Sequence, residues 1–270
     1  MNASFVDLEE RGRPVRVETA WVGPEAPDRP LIVLLHEGLG SLAMWRDFPA
    51  RLCAALGCRG LVYSRPGYGR STPRRADETW APDYLHRQAL GLLPALLDAL
   101  AVRRPCVLFG HSDGGSIALI HAAHFPARIA ALVVLAPHIF VEPVALAGIR
   151  AARAGYVATA AMRQRLARYH DDVDSAFFGW NDAWLAPEFT AWNIEPLLDD
   201  IRCPLLAIQG EEDEYGTMAQ IDGIAARVPA TTLLKLADCG HVPHRDRPDE
   251  VIEATRALLE RLPGQRPPPP

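Results

Sequence analysis

The 270-residue sequence has a single lysine, Lys235, and lacks an apolar run long enough to cross a bilayer. Its 28 Lys and Arg residues are outnumbered by 33 Asp and Glu residues, which gives a formal net charge of -5. A protein that binds polyanions needs clustered Lys and Arg, so nucleic acid is not an expected partner. The N-terminal stretch 1–17 also lacks the apolar core of a signal peptide. We therefore expect a soluble cytoplasmic protein with no membrane partner.

Cysteine is also scarce, and its spacing excludes one common use. The five cysteines are odd in number and show none of the paired C-x-x-C spacing that a structural zinc site requires. The stretch "HEGLG" departs from the H-E-x-x-H pattern of zinc proteases. We expect reduced, mostly buried thiols, no metal and no cofactor. The cysteines are Cys53, Cys58, Cys106, Cys203 and Cys239.

Short apolar runs are abundant, and they point to the fold class. Six runs show no polar alternation, which is typical of strands buried on both faces of a parallel sheet. Two earlier runs, 4–9 and 15–22, flank the turn "ERGRP" and predict an antiparallel hairpin. Segments with helical apolar spacing lie between the later runs, so the sequence predicts an α/β fold with a mainly parallel sheet. The runs are 31–35, 60–64, 106–110, 131–136, 205–210 and 232–237, and the helical segments are 45–56, 84–100, 116–124, 218–227 and 250–262.

One long interval interrupts the alternation of strand and helix. Its composition predicts several helices over about 140–198, which we interpret as a cap over the carboxyl edge of the sheet. We expect one catalytic domain over 1–262 that includes this cap. The Pro-rich tail, 263–270, cannot continue a helix and is expected to be extended and disordered.

The stretch "GHSDGG" places Ser112 between a buried strand and a helix, in a G-x-S-x-G pattern that predicts a nucleophile elbow. The turn forces the serine into a strained conformation and requires small neighbours, which Gly110 and Gly114 provide. A serine hydroxyl is a weak nucleophile that needs a base and a group to orient that base. Asp213 and His241 each follow a later apolar run, and loops at the carboxyl ends of parallel strands converge on one edge.

With "GHSDGG", "GEEDEYG" and "CGHVPHRDRP", the chain resembles the α/β-hydrolase superfamily, whose triad has the order nucleophile, acid, histidine. The resemblance implies a mostly parallel eight-stranded sheet flanked by helices, with a helical cap inserted after the sixth strand. It also implies the catalytic triad Ser112, Asp213 and His241, where the family's G-x-x-D and G-H-x-P patterns select the acid and the base. Glu142, which follows the preceding strand, is an alternative acid.

The oxyanion that forms on attack needs two preorganised donors. The resemblance implies the backbone N–H of Asp113 and that of Gly38 in "HEGLGS", with Leu39 as the alternative to Gly38. The family usually has a glycine where this chain has Glu37. Three roles stay open for Glu37: a surface carboxylate, a partner of an arginine such as Arg65, or a group that reaches the substrate.

Aromatic residues are dense in the expected cap. Most of them would pack the cap helices against the sheet, and one or two would line a pocket. His111 adjoins the serine in a tight turn and cannot readily act as the base. His121 and His124 are expected at the surface of the helix after the elbow. The candidate substrate contacts are Glu37, Leu39, Trp45, His111, Trp180 and Trp184.

These residues predict a serine hydrolase that cleaves an ester, lactone or related acyl bond of a small, partly apolar molecule through an acyl-enzyme. Carbon–carbon bond hydrolysis of dienoate-type ketones uses the same triad and is the alternative reaction. A non-catalytic ligand receptor on the same fold is the alternative from another class. The expected partner is a small-molecule substrate, and a homodimer is left open.

Overall fold

The computed structural model describes residues 2–75 and 77–262, so the Pro-rich tail lies outside the described residues. Eight strands form one sheet, and each of the predicted apolar runs coincides with a strand to within a few residues. The strands are β1 (Ser4–Glu10), β2 (Arg13–Val22), β3 (Ile32–Leu35), β4 (Gly60–Tyr63), β5 (Cys106–His111), β6 (Ile129–Leu135), β7 (Leu205–Gly210) and β8 (Thr231–Leu236).

The sheet has the order β1-β2-β4-β3-β5-β6-β7-β8. The predicted hairpin of β1 and β2 is antiparallel, and β2 also pairs antiparallel with β4. Every pair from β4 to β8 is parallel. The mainly parallel sheet is therefore confirmed, and the carboxyl ends of β5, β7 and β8 lie at the same edge.

Helices cover both faces of the sheet, which explains why the central strands lack polar alternation. In the described residues, the α-helices are α1 (Phe48–Leu56), α2 (Tyr84–Arg87), α3 (Leu93–Ala99), α4 (Asp113–His124), α5 (Pro143–Ala158), α6 (Ala160–Leu166), α7 (Val173–Leu185), α8 (Glu195–Leu198), α9 (Ala219–Arg227), α10 (Pro243–Asp246) and α11 (Pro248–Glu260). Alternate residues of β3 enter different cores: Ile32 packs with α1 and α11, whereas Val33 packs with α3 and α4.

One predicted helix is divided in the structure. The segment 45–56 is not one helix, because a 3₁₀-helix, Leu42–Trp45, is separated from α1 by Arg46 with a φ of 54°. A left-handed residue ends helical hydrogen bonding, so α1 begins only at Phe48. In contrast, 84–100 is nearly continuous, since a π-helical turn, Gln88–Leu92, joins α2 to α3.

The predicted cap helices are present between β6 and β7, where α5 to α8 lie in sequence. Tyr156 of α5 stacks on Phe177 of α7 with ring centroids 3.8 Å apart, so these two aromatic residues pack cap helices against each other. All five cysteines are buried and unpaired, as expected for reduced, buried thiols. Among the described residues, no helix has the length and apolarity needed to cross a membrane.

Candidate active site

Ser112 lies at the junction of β5 and α4 and has the backbone angles φ 53° and ψ -119°. The strained elbow is therefore confirmed. A Cβ atom at Gly114 would collide with the backbone oxygen of Leu35, and one at Gly110 would collide with Gly114 itself. The turn packs directly against the end of β3, so only glycine fits at these positions.

The three residues of the predicted triad are brought together by loops from three different strands. Oγ of Ser112 lies 3.0 Å from Nε2 of His241. Nδ1 of His241 lies 2.8 Å from Oδ1 of Asp213. Because the carboxylate accepts, Nδ1 carries the proton, which leaves Nε2 to accept a hydrogen bond from the Ser112 hydroxyl.

Asp213 is held by its own loop as well as by the histidine. Its Oδ1 also accepts from the backbone N–H groups of Tyr215 at 2.8 Å and Gly216 at 3.2 Å. Burial alone would raise the pKa of Asp213, but the hydrogen bond from His241, that ring's charge and the Tyr215 amide together lower it. The carboxyl group is therefore ionised and fixed in the orientation that aligns the imidazole.

Glu142, the alternative acid, bonds residues near the start of α9. Its carboxylate accepts from Oγ1 of Thr217 at 2.7 Å and from Nε2 of Gln220 at 2.7 Å. These contacts fix the segment before α9. Among the described residues, the carboxylate that bonds the imidazole of His241 is that of Asp213, while Glu214 accepts from the His241 backbone N–H.

The side chain of Asp113 does not serve the triad and is instead the acceptor of a buried cluster. It is 1% exposed. Its Oδ2 accepts from the Tyr84 hydroxyl at 2.7 Å, and its Oδ1 accepts from Nε1 of Trp184 at 3.1 Å. Nη1 of Arg65 lies 3.7 Å from Oδ2. Burial raises the pKa of Asp113, and Arg65 opposes that rise.

Arg65 connects this cluster to the loop after β3. The side chain is fully buried, and its Nη2 donates to the backbone oxygen of Glu37 at 2.8 Å. The guanidinium also lies 4.8 Å from the ring centroid of Tyr68, within cation–π range. The hypothesis that Arg65 pairs with the Glu37 carboxylate is therefore wrong, because the carboxylate that Arg65 faces is that of Asp113.

The Glu37 carboxylate faces a histidine instead. Oε2 lies 3.5 Å from Nδ1 of His111, and the side chain is 24% exposed. Nε2 of His111 lies 2.7 Å from the backbone oxygen of His241, so Nε2 must carry a proton. Burial would raise the pKa of Glu37, but the close approach of the His111 ring and that ring's charge hold it well below its ordinary range. Glu37 and His111 thus connect the loop after β3 to the backbone of His241.

The other candidate substrate contacts fall into different environments. Leu39 is partly buried, and its backbone oxygen lies 3.0 Å from Nε2 of His170. Trp45 lies in the core, with its ring centroid 4.5 Å from that of His244. Trp184 is buried and donates to Asp113. Trp180 packs against Gly38, at the loop expected to provide an oxyanion donor.

One sequence-based placement was wrong. His121 is fully buried, and its Nδ1 lies 2.7 Å from the backbone oxygen of Ala89. The helix formed by α2 and α3 covers this side of α4, so His121 is buried beneath it and does not lie at the surface. His124 is exposed, as expected.

Two neighbours of the site were not identified from the sequence as parts of it. Tyr84 contributes the hydroxyl that bonds Asp113, and no local motif marks it because it comes from the distant start of α2. The ring of Tyr215 lies 4.8 Å from that of His241, and its position two residues after Asp213 was the available signal. No group of three or more His, Cys, Asp or Glu side chains suited to a metal occurs within the described parts of the chain.

Known hydrolases resemble this chain in sequence. A sequence model of the alpha/beta hydrolase family matches residues 32–254. The pimeloyl-[acyl-carrier protein] methyl ester esterase of Aromatoleum aromaticum is 29% identical over 262 residues, which cover 83% of this chain and 95% of the esterase.

Two solved structures share the fold at low identity. A thermophilic esterase from Thermogutta terrifontis superposes with a TM-score of 0.72 and 20% identity, over 96% of this chain and 98% of the other. The enol-lactonase from Burkholderia xenovorans gives a TM-score of 0.70 and 23% identity, over 91% of this chain and 97% of the other.

Proposed function

The chain belongs to the alpha/beta hydrolase family and is a hydrolase; on that premise, we propose that it cleaves an ester, lactone or related acyl bond through a covalent acyl-enzyme on Ser112. The observation that carries the proposal is the continuous hydrogen-bond chain from Ser112 through His241 to Asp213. Such a chain is the arrangement that activates a serine hydroxyl.

The acylation step follows from this arrangement. The Ser112 proton passes to Nε2 of His241 as Oγ forms a bond to the acyl carbon. Asp213 stabilises the resulting imidazolium through Nδ1–H and does not itself accept the proton. The tetrahedral intermediate then collapses, the bond to the leaving oxygen breaks, and His241 returns its proton to that oxygen.

The oxyanion in this mechanism binds at the junction of the elbow and the loop after β3. We assign its donors to the backbone N–H groups of Asp113 and Gly38. The close packing of Gly114 on Leu35 supports this assignment, since it draws the start of α4 against the end of β3. The N-terminus of α4 also favours negative charge at this point.

Deacylation uses the same groups in reverse. A water molecule gives a proton to Nε2 of His241 as its oxygen attacks the acyl carbon. The Oγ–acyl bond then breaks, and the proton returns to Ser112. The products are the free acid and the unmodified enzyme.

The substrate class rests on the relatives and on the cap. The Aromatoleum aromaticum relative is named as a methyl ester esterase, and one structural neighbour is an enol-lactonase, which supports ester or lactone cleavage. The aromatic residues of α7 favour a small, partly apolar acyl compound. Action in the cytoplasm without a membrane or nucleic-acid partner remains part of the proposal, and the homodimer stays open.

Glu37 and His111 are proposed as positioning residues. The His111 N–H bonded to the His241 carbonyl holds the backbone of the catalytic histidine, and the Glu37 carboxylate holds His111. The pair thereby links the loop of the oxyanion donor Gly38 to that of the base. This proposal replaces the alternative in which Glu37 contacts the substrate.

The test of the proposed function is covalent labelling with a fluorophosphonate probe, together with turnover of a p-nitrophenyl ester. Wild type is expected to be labelled and to turn over the ester, while Ser112→Ala does neither. Ser116→Ala is the matched control, because Ser116 is a buried serine on α4 whose hydroxyl bonds the backbone of His138, and this variant should remain labelled.

The alternatives give different results in the same assays. Labelling of Ser112→Ala would contradict the assignment of the nucleophile. Wild type that binds small esters but neither hydrolyses them nor reacts with the probe would favour a ligand receptor. Turnover of a dienoate ketone, without turnover of esters or lactones, would favour carbon–carbon bond hydrolysis.

A further inference from the structure

The indole of Trp180, on the cap helix α7, occupies the space that a side chain at residue 38 would fill. A Cβ atom at Gly38 would overlap Nε1 of this indole. The Trp180 residue is only 8% exposed. Within the described residues no atom accepts a hydrogen bond from its Nε1–H, and the Nε1 atom itself stays open to solvent. A neutral donor without a protein acceptor therefore lies directly against the loop that holds a proposed oxyanion donor.

The next turn of the same helix shows how α7 is held over the site. Trp184 lies four residues after Trp180, so both indoles project from one helix face. Nε1 of Trp184 donates to the Asp113 carboxylate at 3.1 Å. One face of α7 thus contacts Asp113 through Trp184 and Gly38 through Trp180. These are the two residues whose backbone N–H groups are assigned to the oxyanion.

The chemistry of the position favours a function for the N–H group. The N–H of Trp180 retains access to solvent, so it can donate to a molecule bound in the site, which a phenylalanine at this position could not do. The oxygen that accepts from the Gly38 amide lies close to the Gly38 Cα atom, against which the indole packs. The same oxygen is therefore within reach of Nε1–H.

We propose that Nε1–H of Trp180 donates a third hydrogen bond to the oxyanion that forms when Ser112 attacks the acyl carbon. Trp180 is then a catalytic residue that the cap contributes to the oxyanion hole. It transfers no proton, because the indole N–H acts only as a donor. The inference rests on the proposed serine hydrolase function.

Two substitutions separate the N–H group from the bulk of the ring. Trp180→Phe keeps an aromatic ring and removes the donor. Trp180→His removes the larger ring but can place Nε2–H where the indole Nε1–H lay. The control is Trp192→Phe. Trp192 has the same exposed fraction as Trp180, and its Nε1 also lacks a hydrogen-bond partner. Its ring stacks on Phe189 and does not pack against Gly38.

The measurement is hydrolysis of p-nitrophenyl acetate, whose short acyl group minimises packing effects, and inhibition by phenylboronic acid, which forms a tetrahedral adduct on a serine. Trp180→Phe is expected to lower kcat/KM about tenfold, mainly through kcat, which corresponds to one neutral hydrogen bond. Its inhibition constant for phenylboronic acid should rise by a similar factor. Trp180→His should retain more activity than Trp180→Phe, and Trp192→Phe should stay within about twofold of wild type on both measures.

The proposal is overturned if Trp180→Phe leaves kcat unchanged, if its loss lies only in KM, or if boronate inhibition does not weaken along with kcat. It is also overturned if Trp180→His is no more active than Trp180→Phe while both remain folded by circular dichroism. Failure of the proposed function would look different, because wild type itself would then resist the fluorophosphonate probe and phenylboronic acid.

Discussion

Asp113 and Asp213 are both carboxylates of the site, but different donors hold them. Asp213 accepts from His241 and from two amides of its own loop. Asp113 accepts from Tyr84 and Trp184, which come from distant elements. At the scale of single residues, the structure therefore separates the carboxylate that bonds the imidazole of His241 from the one that holds the elbow and the cap together.

Replacing each aspartate by asparagine should separate these two roles. Asp213→Asn is expected to lower kcat by roughly 10³ to 10⁴, because the amide no longer selects the tautomer with the proton on Nδ1 of His241. Asp113→Asn should retain much of the activity but lower the free energy of unfolding by roughly 3 kcal/mol, since the buried Arg65 loses its counter-charge. Urea denaturation and ester kinetics check both. Abolished turnover in a folded Asp113→Asn protein would contradict the division.

Glu37 permits a second prediction at this scale. If it positions His111, Glu37→Gln should keep kcat within about threefold, because the amide can donate to Nδ1 of a neutral imidazole. Glu37→Ala should lower kcat about tenfold with little change in KM, as expected for the loss of one close polar contact that supports the base. Steady-state kinetics of the two variants decide the matter. A large rise in KM for Glu37→Gln would restore the substrate-contact role.

At the scale of elements, the elbow depends both on its local sequence and on packing against a distant strand. The β5 strand and the α4 helix are evident from their apolar spacing, whereas the need for glycine at Gly114 comes from its contact with the end of β3. The position of the cap depends mainly on long-range contacts and less on its local sequence. Its helices are predictable as helices, but the alignment of α7 with the elbow depends on Trp184 reaching Asp113 across the molecule.

Substitution of glycine tests the packing of the elbow. Gly114→Ala would drive a methyl group into the backbone oxygen of Leu35, so we expect a loss of about 2 kcal/mol or more in unfolding free energy and loss of turnover. Gly155→Ala is the matched control, because a Cβ at Gly155 in α5 meets no atom within 4 Å. This control should gain about 0.5 to 1 kcal/mol. Equal stability of the two variants would contradict the packing argument.

At the scale of the whole molecule, several histidines are buried by the fold. Burial lowers the pKa of His121 to about 4 and that of His138 to about 3. The pKa values of His36 and His244 are also lowered by burial. All four are therefore neutral in the folded protein at pH values where the unfolded chain would protonate them.

This burial predicts sensitivity to mild acid. Below about pH 6.5 the unfolded state binds more protons than the folded state, so the free energy of unfolding falls as pH decreases. The loss continues towards the folded pKa values, with each histidine contributing at most about 1.4 kcal/mol per pH unit. Urea denaturation between pH 7.5 and 5 measures the slope.

One of these histidines provides a control for the slope. His121→Asn should reduce it by about 1 kcal/mol per pH unit near pH 5, which is most of one histidine's contribution. His124→Asn should leave it unchanged, because His124 lies exposed on the same helix, α4. A free energy of unfolding that does not change with pH between 7 and 5 would contradict the prediction.

The sequence by itself determined the strands, most helices, the elbow and the order of the proposed triad residues. These features depend on backbone periodicity and on steric limits within a few residues, which an apolar run or a glycine records directly. The tertiary structure alone decided that Glu37 faces His111, that Trp45 lies in the core, and that the Asp113 carboxylate holds Tyr84 and Trp184. Each of these contacts joins residues from separate loops or helices, and the packing of whole elements sets their distances. For "GHSDGG", the local pattern predicts Ser112 as the nucleophile, whereas only the fold showed which groups the carboxylate beside it bonds.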